Sequence, residues 1–347
     1  MKKFIYIVSC FLLCTSLSFS QTAPKGTVKT IYILGKALQN NNGNENPKRR
    51  VSIYLPPGYD TNKKYPVIYY LHGFTWSDSL IFAADHMDKL LDKAIAQQRI
   101  RPFIMVAPDA STIFKGSFYT NSIVNGNWST FIAEDLVNYI DAHYSTIKDK
   151  NSRGLAGHSM GGHGALKVAL LNPNRFSAVY ALSPAVLAAD KEWMQDRKSV
   201  AFALESANAK LLETDFSATL MVALGTAFSP NASKPPFYCD LPFSKQGNTL
   251  IPNNRVLQLW SANTPYALLA SHVASFRGLK ALAFDWGSKD QFKHIPATAK
   301  AFSAQLEAFG IPFSAQEYDG DHGNKIMTDD GRMLNNLLPF FDKNLSF

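Results

Sequence analysis

GLAGHSMGGHGAL, residues 154–166, places a serine two residues from a glycine on each side, Gly157 and Gly161, with His158 directly before it. A serine in this setting suits a sharp strand-to-helix turn, where a strained backbone lifts the hydroxyl above a sheet and only small neighbours fit. The flanks agree with that turn. RGLAG reads as a short buried strand, and GALKVALLNP as a helix stopped at Asn172-Pro173. The N-terminus of such a helix points backbone N–H groups toward the hydroxyl, where they can meet developing negative charge. Ser159 is therefore a candidate nucleophile.

Outward from this turn the chain alternates. RVSIYLP, PVIYYLHG, PFIMVAPD and FSAVYALSP are β-rich runs. Between them FAADHMDKLLDKAIAQQR carries Met87, Leu90, Leu91, Ala94 and Ile95 at helical spacing, and WSTFIAEDLVNYIDAHYS carries Ile132, Leu136, Tyr139 and Ile140. LKALAFDWGSKD, a helix from about Pro296 to Phe309 closed by Gly310, PFSAQEYDGDHG and a last helix through Met333, Leu334, Leu337 and Leu338 complete the rhythm. Strands alternating with helices predict an α/β fold with a mostly parallel sheet covered on both faces. An antiparallel opening from Val28 to Leu55 would add edge strands, with residues 39–50 as a long loop. Residues 185–276 interrupt the rhythm with helical pieces and AFSPNASKPPFYCDLPF. They read as an insertion between late strands, a cap over the site, or else a further structural subdomain.

The N-terminus has its own logic. Lys2 and Lys3 precede a largely apolar run from Phe4 to Leu17, and Ser18-Phe19-Ser20 offers a small-x-small site. Residues 1–20 thus read as a secretory signal cleaved after Ser20, which predicts a secreted or periplasmic protein and leaves residues 21–347 as one catalytic domain. The apolar run is short for a membrane anchor; lipid modification at Cys10 is the variant form. Cleavage would remove Cys10 and Cys14, leaving Cys239 without an intramolecular partner, and packing is the better reading of its role. The formal net charge is +8, two units of which belong to the leader lysines. Lys48-Arg49-Arg50, just before an apparent strand, is too small a basic footprint for nucleic acid.

A nucleophilic serine needs a base and a group that orients the base. Where the serine sits on such a turn, the chain order is serine, acid, histidine. His272, His294 and His322 follow Ser159. His272 lies inside the insertion and His294 at a helix start, whereas His322 lies in EYDGDHGNK, just after the last expected strand. For the acid, AFDWGSKDQF offers Asp285 within the strand and Asp290 beyond a Gly-Ser turn; Asp290 is the one placed to reach across the sheet edge. Two backbone donors are needed for an oxyanion. Met160 follows the nucleophile, and the turn His72-Gly73-Phe74 is a source for the second, with His72 holding the turn.

These residues together resemble the esterase D-like family of α/β-hydrolases, which includes feruloyl and acetylxylan esterases, S-formylglutathione hydrolases and mycolyltransferases. The resemblance rests on VSIYLPPGYD, YPVIYYLHGF, APDASTIFKGSFYTNS, NWSTFIAEDLVNYIDAHY, RGLAGHSMGGHGALKVALLNPNRFSAVYALSP, FDWGSKD and YDGDHG, in family order. It implies an α/β-hydrolase fold with Ser159 as nucleophile, Asp290 as acid, His322 as base, and Phe74 and Met160 as oxyanion donors. It implies a serine carboxylesterase with no metal or organic cofactor, acting on small-molecule or polysaccharide-linked esters. The leader favours feruloyl or acetyl esters of plant polysaccharide over a cytosolic role. Trp76, Phe237, Tyr238 and Trp260 are candidates for an aromatic acyl pocket. The same acyl-enzyme serves an acyltransferase, and a binding protein on a hydrolase scaffold is the reading from another class. The insertion departs from compact family members.

Overall fold

The computed structural model describes residues 24–194 and 196–347. The expected leader, with Cys10 and Cys14, lies outside the described residues.

Eight strands form the main sheet: β1 Thr27–Leu34, β2 Lys48–Leu55, β3 Val67–Leu71, β4 Ile104–Pro108, β5 Arg153–His158, β6 Ala178–Leu182, β7 Ala281–Gly287 and β8 Ser314–Tyr318. Their spatial order is β1-β2-β4-β3-β5-β6-β7-β8. β2 runs antiparallel to β1 and β4, and from β4 to β8 every neighbouring pair is parallel. The central strands are buried on both faces, which is why they read as unbroken apolar runs. In β3, Val67, Tyr69 and Leu71 enter one core, while Ile68 and Tyr70 enter the other. The period of two along a strand makes that division.

On the first face the helix pieces Phe131–Leu136 and Val137–His143, then helices Met160–Leu171 and His294–Ala308, cover the sheet. On the second lie Met87–Ala96 and the C-terminal run Met333–Leu337 and Leu338–Asn344. Gly310, at φ 61°, follows the helix His294–Ala308 in the left-handed conformation that glycine adopts at low cost.

The basic triplet falls inside β2, and its two arginines are paired with carboxylates. Arg50 pairs with the buried Asp78 at 2.8 Å, and Arg49 with Glu45 at 3.1 Å. The long connection between β6 and β7 contains helices Arg197–Glu205, Phe216–Phe228 and Asn254–Ala262 and a ribbon of Phe243–Gln246 with Thr249–Pro252. Its last two helices, Pro265–Leu269 and Val273–Arg277, pack against Met160–Leu171 beside the sheet. That part of the connection therefore serves the core.

Candidate active site

β5 carries the chain to Ser159, whose φ of 56° and ψ of −115° are a strained combination for a residue with a side chain. Hydrogen bonds over-determine the turn. The Ser159 N–H donates to the Leu182 carbonyl at 2.9 Å, and the Ser159 carbonyl accepts from His163 and Ala185 at 3.0 and 3.1 Å. The two glycines are steric necessities. A Cβ on Gly161 would stand 1.9 Å from the Leu71 carbonyl oxygen, and one on Gly157 would stand 2.3 Å from the Gly161 oxygen. The helix Met160–Leu171 starts immediately after, aiming its first amides at the site.

The acid and base loops leave the ends of β7 and β8. Gly287 presses them together, since a Cβ there would lie 2.3 Å from the Gly320 oxygen. Ser288 and Lys289 donate backbone hydrogen bonds to Tyr318 and Gly320 at 2.8 and 2.9 Å. Across this seam the His322 Nδ1 meets the fully buried Asp290 Oδ2 at 2.7 Å. Asp290 is itself held, its Oδ1 accepting from the Phe292 amide at 2.9 Å. With Nδ1–H donating to the carboxylate, Nε2 is left as the basic nitrogen. Ser159 and His322 line one cavity. Among the described residues no hydrogen bond joins the Ser159 hydroxyl to His322, a link that hydrolases commonly tighten only around substrate.

His72, His272, His294 and Asp285 are engaged elsewhere. Asp285 sits within β7, accepting from the Tyr180 hydroxyl at 2.7 Å and the Arg332 Nε at 2.8 Å. Burial raises its carboxyl above the usual range, against the pull of Arg332. His294 Nδ1 contacts Glu192 at 2.7 Å, and His272 Nδ1 contacts the Leu268 carbonyl at 2.9 Å. His72 spends both nitrogens on its own turn: Nδ1–H donates to the Gly73 carbonyl and Nε2 accepts from the Ala110 amide, each at 2.8 Å. Burial lowers its pKa, which keeps that neutral tautomer. The turn so held presents Phe74, and among the described residues neither the Phe74 nor the Met160 amide has an acceptor.

His158, directly before the serine, has a part that the sequence analysis did not assign to it. Its Nε2 lies 2.8 Å from the His322 carbonyl oxygen, and the two rings stand 4.7 Å apart between centroids. Burial, with His322 beside it, pushes the His158 imidazole down to about 3. It is therefore a neutral donor at ordinary pH. Its position next to the serine in sequence was the available signal.

The cavity measures about 370 Å3 and is walled by Tyr70, Trp76, Asp85, Phe216, Phe292 and Met327, among others. Trp76 faces it while donating its indole N–H to Asp85 at 2.8 Å. Phe237, Tyr238 and Trp260 do not line it. Phe237 packs edge-on against Phe114, with ring centroids 5.7 Å apart. Tyr238, just past the middle of the insertion, holds a left-handed backbone at φ 52° and accepts at its carbonyl from the Asn231 amide. Trp260 is fully buried with its indole N–H donated to Ser229 at 2.8 Å. Beside Trp76, aromatic walls come from Phe216 and Phe292, which no local pattern marked. No cluster of three or more His, Cys, Asp or Glu side chains that could hold a metal occurs among the described residues.

The chain matches the profile of a family described as "Putative esterase" over residues 44–326, most of its length. It is 29% identical over 128 residues to endo-1,4-beta-xylanase Y of Acetivibrio thermocellus, a match spanning 34% of this chain and 11% of that protein. Among solved structures it resembles a ferulic acid esterase at 21% identity, with TM-score 0.60, covering 93% of this chain and all of the other. An S-formylglutathione hydrolase from Agrobacterium tumefaciens superposes with TM-score 0.60 at 17% identity, covering 94% of this chain and 98% of the other. A feruloyl esterase module from Clostridium thermocellum, complexed with sinapinate, gives 0.54 at 16% identity, covering 93% and 90%. At these identities the superpositions speak to the fold, which is that of the α/β-hydrolase esterases.

Proposed function

This chain belongs to the esterase family, and we propose that it is a serine carboxylesterase working through an acyl-serine intermediate. The observation that carries the reading is the 2.7 Å contact of His322 with the buried Asp290, on the wall of the cavity that also holds the strained Ser159. His322 Nε2 takes the Ser159 proton as Oγ attacks the ester carbonyl carbon. The carbonyl oxygen becomes an oxyanion and accepts from the Phe74 and Met160 amides. On collapse the C–O bond to the alcohol breaks, and His322 returns the proton to the departing oxygen. Water then repeats the sequence on the acyl-enzyme, releasing the acid and free Ser159. Asp290 holds the imidazole tautomer and offsets the charge His322 carries between steps.

The proposed substrates are feruloyl or acetyl esters, encountered outside the cytoplasm if residues 1–20 act as a leader. Residues 197–228 of the insertion, through Phe216, are proposed to cap the site. The test is a panel of methyl ferulate, acetylated xylan and short p-nitrophenyl esters, run with the parent protein and Ser159→Ala. The expected loss in kcat is on the order of 10⁶. Undiminished hydrolysis by the variant overturns the mechanism.

A further inference from the structure

Ser159 stands where two cavities of unlike size and chemistry meet. The larger, about 370 Å3, contains His322, Trp76 and Asp85. The smaller, about 40 Å3, lies on the other side of Ser159. Met160, Val186, Leu220 and Ile295 line it and do not line the larger one, and Ser159 is its one polar side chain among the described residues. The two share Phe74, Phe216 and Phe292 as well as the serine, so they are neighbours at Ser159.

The reaction itself assigns the cavities. The departing alcohol oxygen must receive its proton from His322, so the alcohol lies on the His322 side, in the larger cavity. The carbonyl oxygen turns toward the Phe74 and Met160 amides. The third substituent of the carbonyl carbon, the acyl chain, is left with the apolar notch. At roughly 10–15 Å3 per water-sized group, the notch has room for about three such groups. An acetyl ester places one carbon there and a butyryl ester three, whereas a feruloyl group needs several times that space.

Resting on the acyl-serine reading above, and choosing acetyl over feruloyl between the two ester classes it names, we propose that this protein is selective for esters of short acyl chains, acetyl to butyryl, on bulky alcohols, with Leu220 and Ile295 setting the limit. Leu220 reaches the notch from helix Phe216–Phe228 of the insertion, and Ile295 from the first turn of His294–Ala308. The insertion thus supplies one of the two walls that measure the acyl chain. Leu220 is only partly buried, which makes it the position to vary without opening the core.

The experiment is an acyl series of p-nitrophenyl esters from acetyl to octanoyl, with methyl ferulate, and a second series of acetyl esters on alcohols from methanol to a xylo-oligosaccharide. In the parent protein kcat/KM is expected to fall about tenfold or more between butyryl and octanoyl, and to hold or rise as the alcohol grows. Leu220→Ala should raise the octanoyl-to-acetyl ratio about tenfold, and Leu220→Trp should lower the butyryl-to-acetyl ratio by a similar factor. Octanoyl or feruloyl esters cleaved as well as acetyl, or a chain-length profile unmoved in both variants, overturns the proposal while leaving the hydrolase reading in place. Failure to cleave any ester, with Ser159 unlabelled by a fluorophosphonate, overturns that reading and this one together.

Discussion

His158 donates its Nε2 hydrogen to the carbonyl oxygen of His322 at 2.8 Å, so the residue before the candidate nucleophile anchors the loop that carries the candidate base. The contact closes a ring of constraints: β5 positions Ser159, His158 positions the backbone of His322, and Asp290 positions its imidazole. Burial and the neighbouring His322 hold the His158 imidazole neutral down to about pH 3, so it adds no charge to oppose the one that forms on His322. His158→Ala should lower kcat by roughly ten- to a hundredfold through misplacement of the base, with a smaller effect on KM. Steady-state kinetics on an activated ester check this; unchanged kcat would show that the loop holds itself.

Asp290 and Asp285 are five residues apart and do different work. Asp290→Asn should cost on the order of 10⁴ in kcat, by favouring the wrong His322 tautomer, while the fold persists. Removing the charge partner of Asp285 by Arg332→Ala leaves a buried carboxylate with only the Tyr180 hydroxyl to donate to it, and should cost about 3–5 kcal/mol of stability. Urea melts paired with kcat measurements on both variants separate the two roles. A large kcat loss confined to the Arg332 variant at full stability would reverse the assignment.

Gly161 admits no side chain. A Cβ 1.9 Å from the Leu71 carbonyl of β3 would collide with backbone that the sheet holds in register. Gly161→Ala should destabilise by more than about 4 kcal/mol or prevent folding. Gly278→Ala is the control, since its Cβ would meet nothing closer than 3.4 Å. Thermal melts of the two variants should differ widely.

Lys167 lies one turn beyond His163 on the helix after Ser159, with 2% of its surface exposed. Its Nζ donates to Thr120 at 2.8 Å and Asn263 at 3.0 Å and rests 4.7 Å from the Phe228 ring centre, with no carboxylate partner among the described residues. Burial pushes its ammonium down from the usual 10.5 to about 7. Between those values the unfolded chain holds the proton and the folded chain does not, so stability should rise with pH across that window. The slope is at most about 1.4 kcal/mol per pH unit. Lys167→Met should flatten it. Denaturant midpoints from pH 7 to 10 give the answer, and parallel slopes in both proteins would show that Lys167 is not the titrating group.

Much of the fold could be read along the chain because its constraints are local. Apolar runs such as VIYYL mark strands buried on both faces, Met87 to Ile95 mark a helix stripe, and glycines around a serine mark the turn where Cβ atoms would strike the Leu71 carbonyl. The order serine, Asp290, His322 follows the order of strand ends, which the sequence also carries. The cavity walls could not be read that way. Trp260 and Phe237 are as aromatic as Phe216 and Phe292, yet the first two are folded into the core and the second two stand over Ser159. Which side of a residue faces the site depends on how the helices of a long connection dock on one another and on the sheet, and those contacts join distant residues with no periodicity to announce them. Residue chemistry and local spacing were therefore enough to nominate Ser159, Asp290 and His322. Only the tertiary packing decided that His158 reaches across to the base loop, and that the space on the far side of Ser159 is narrow.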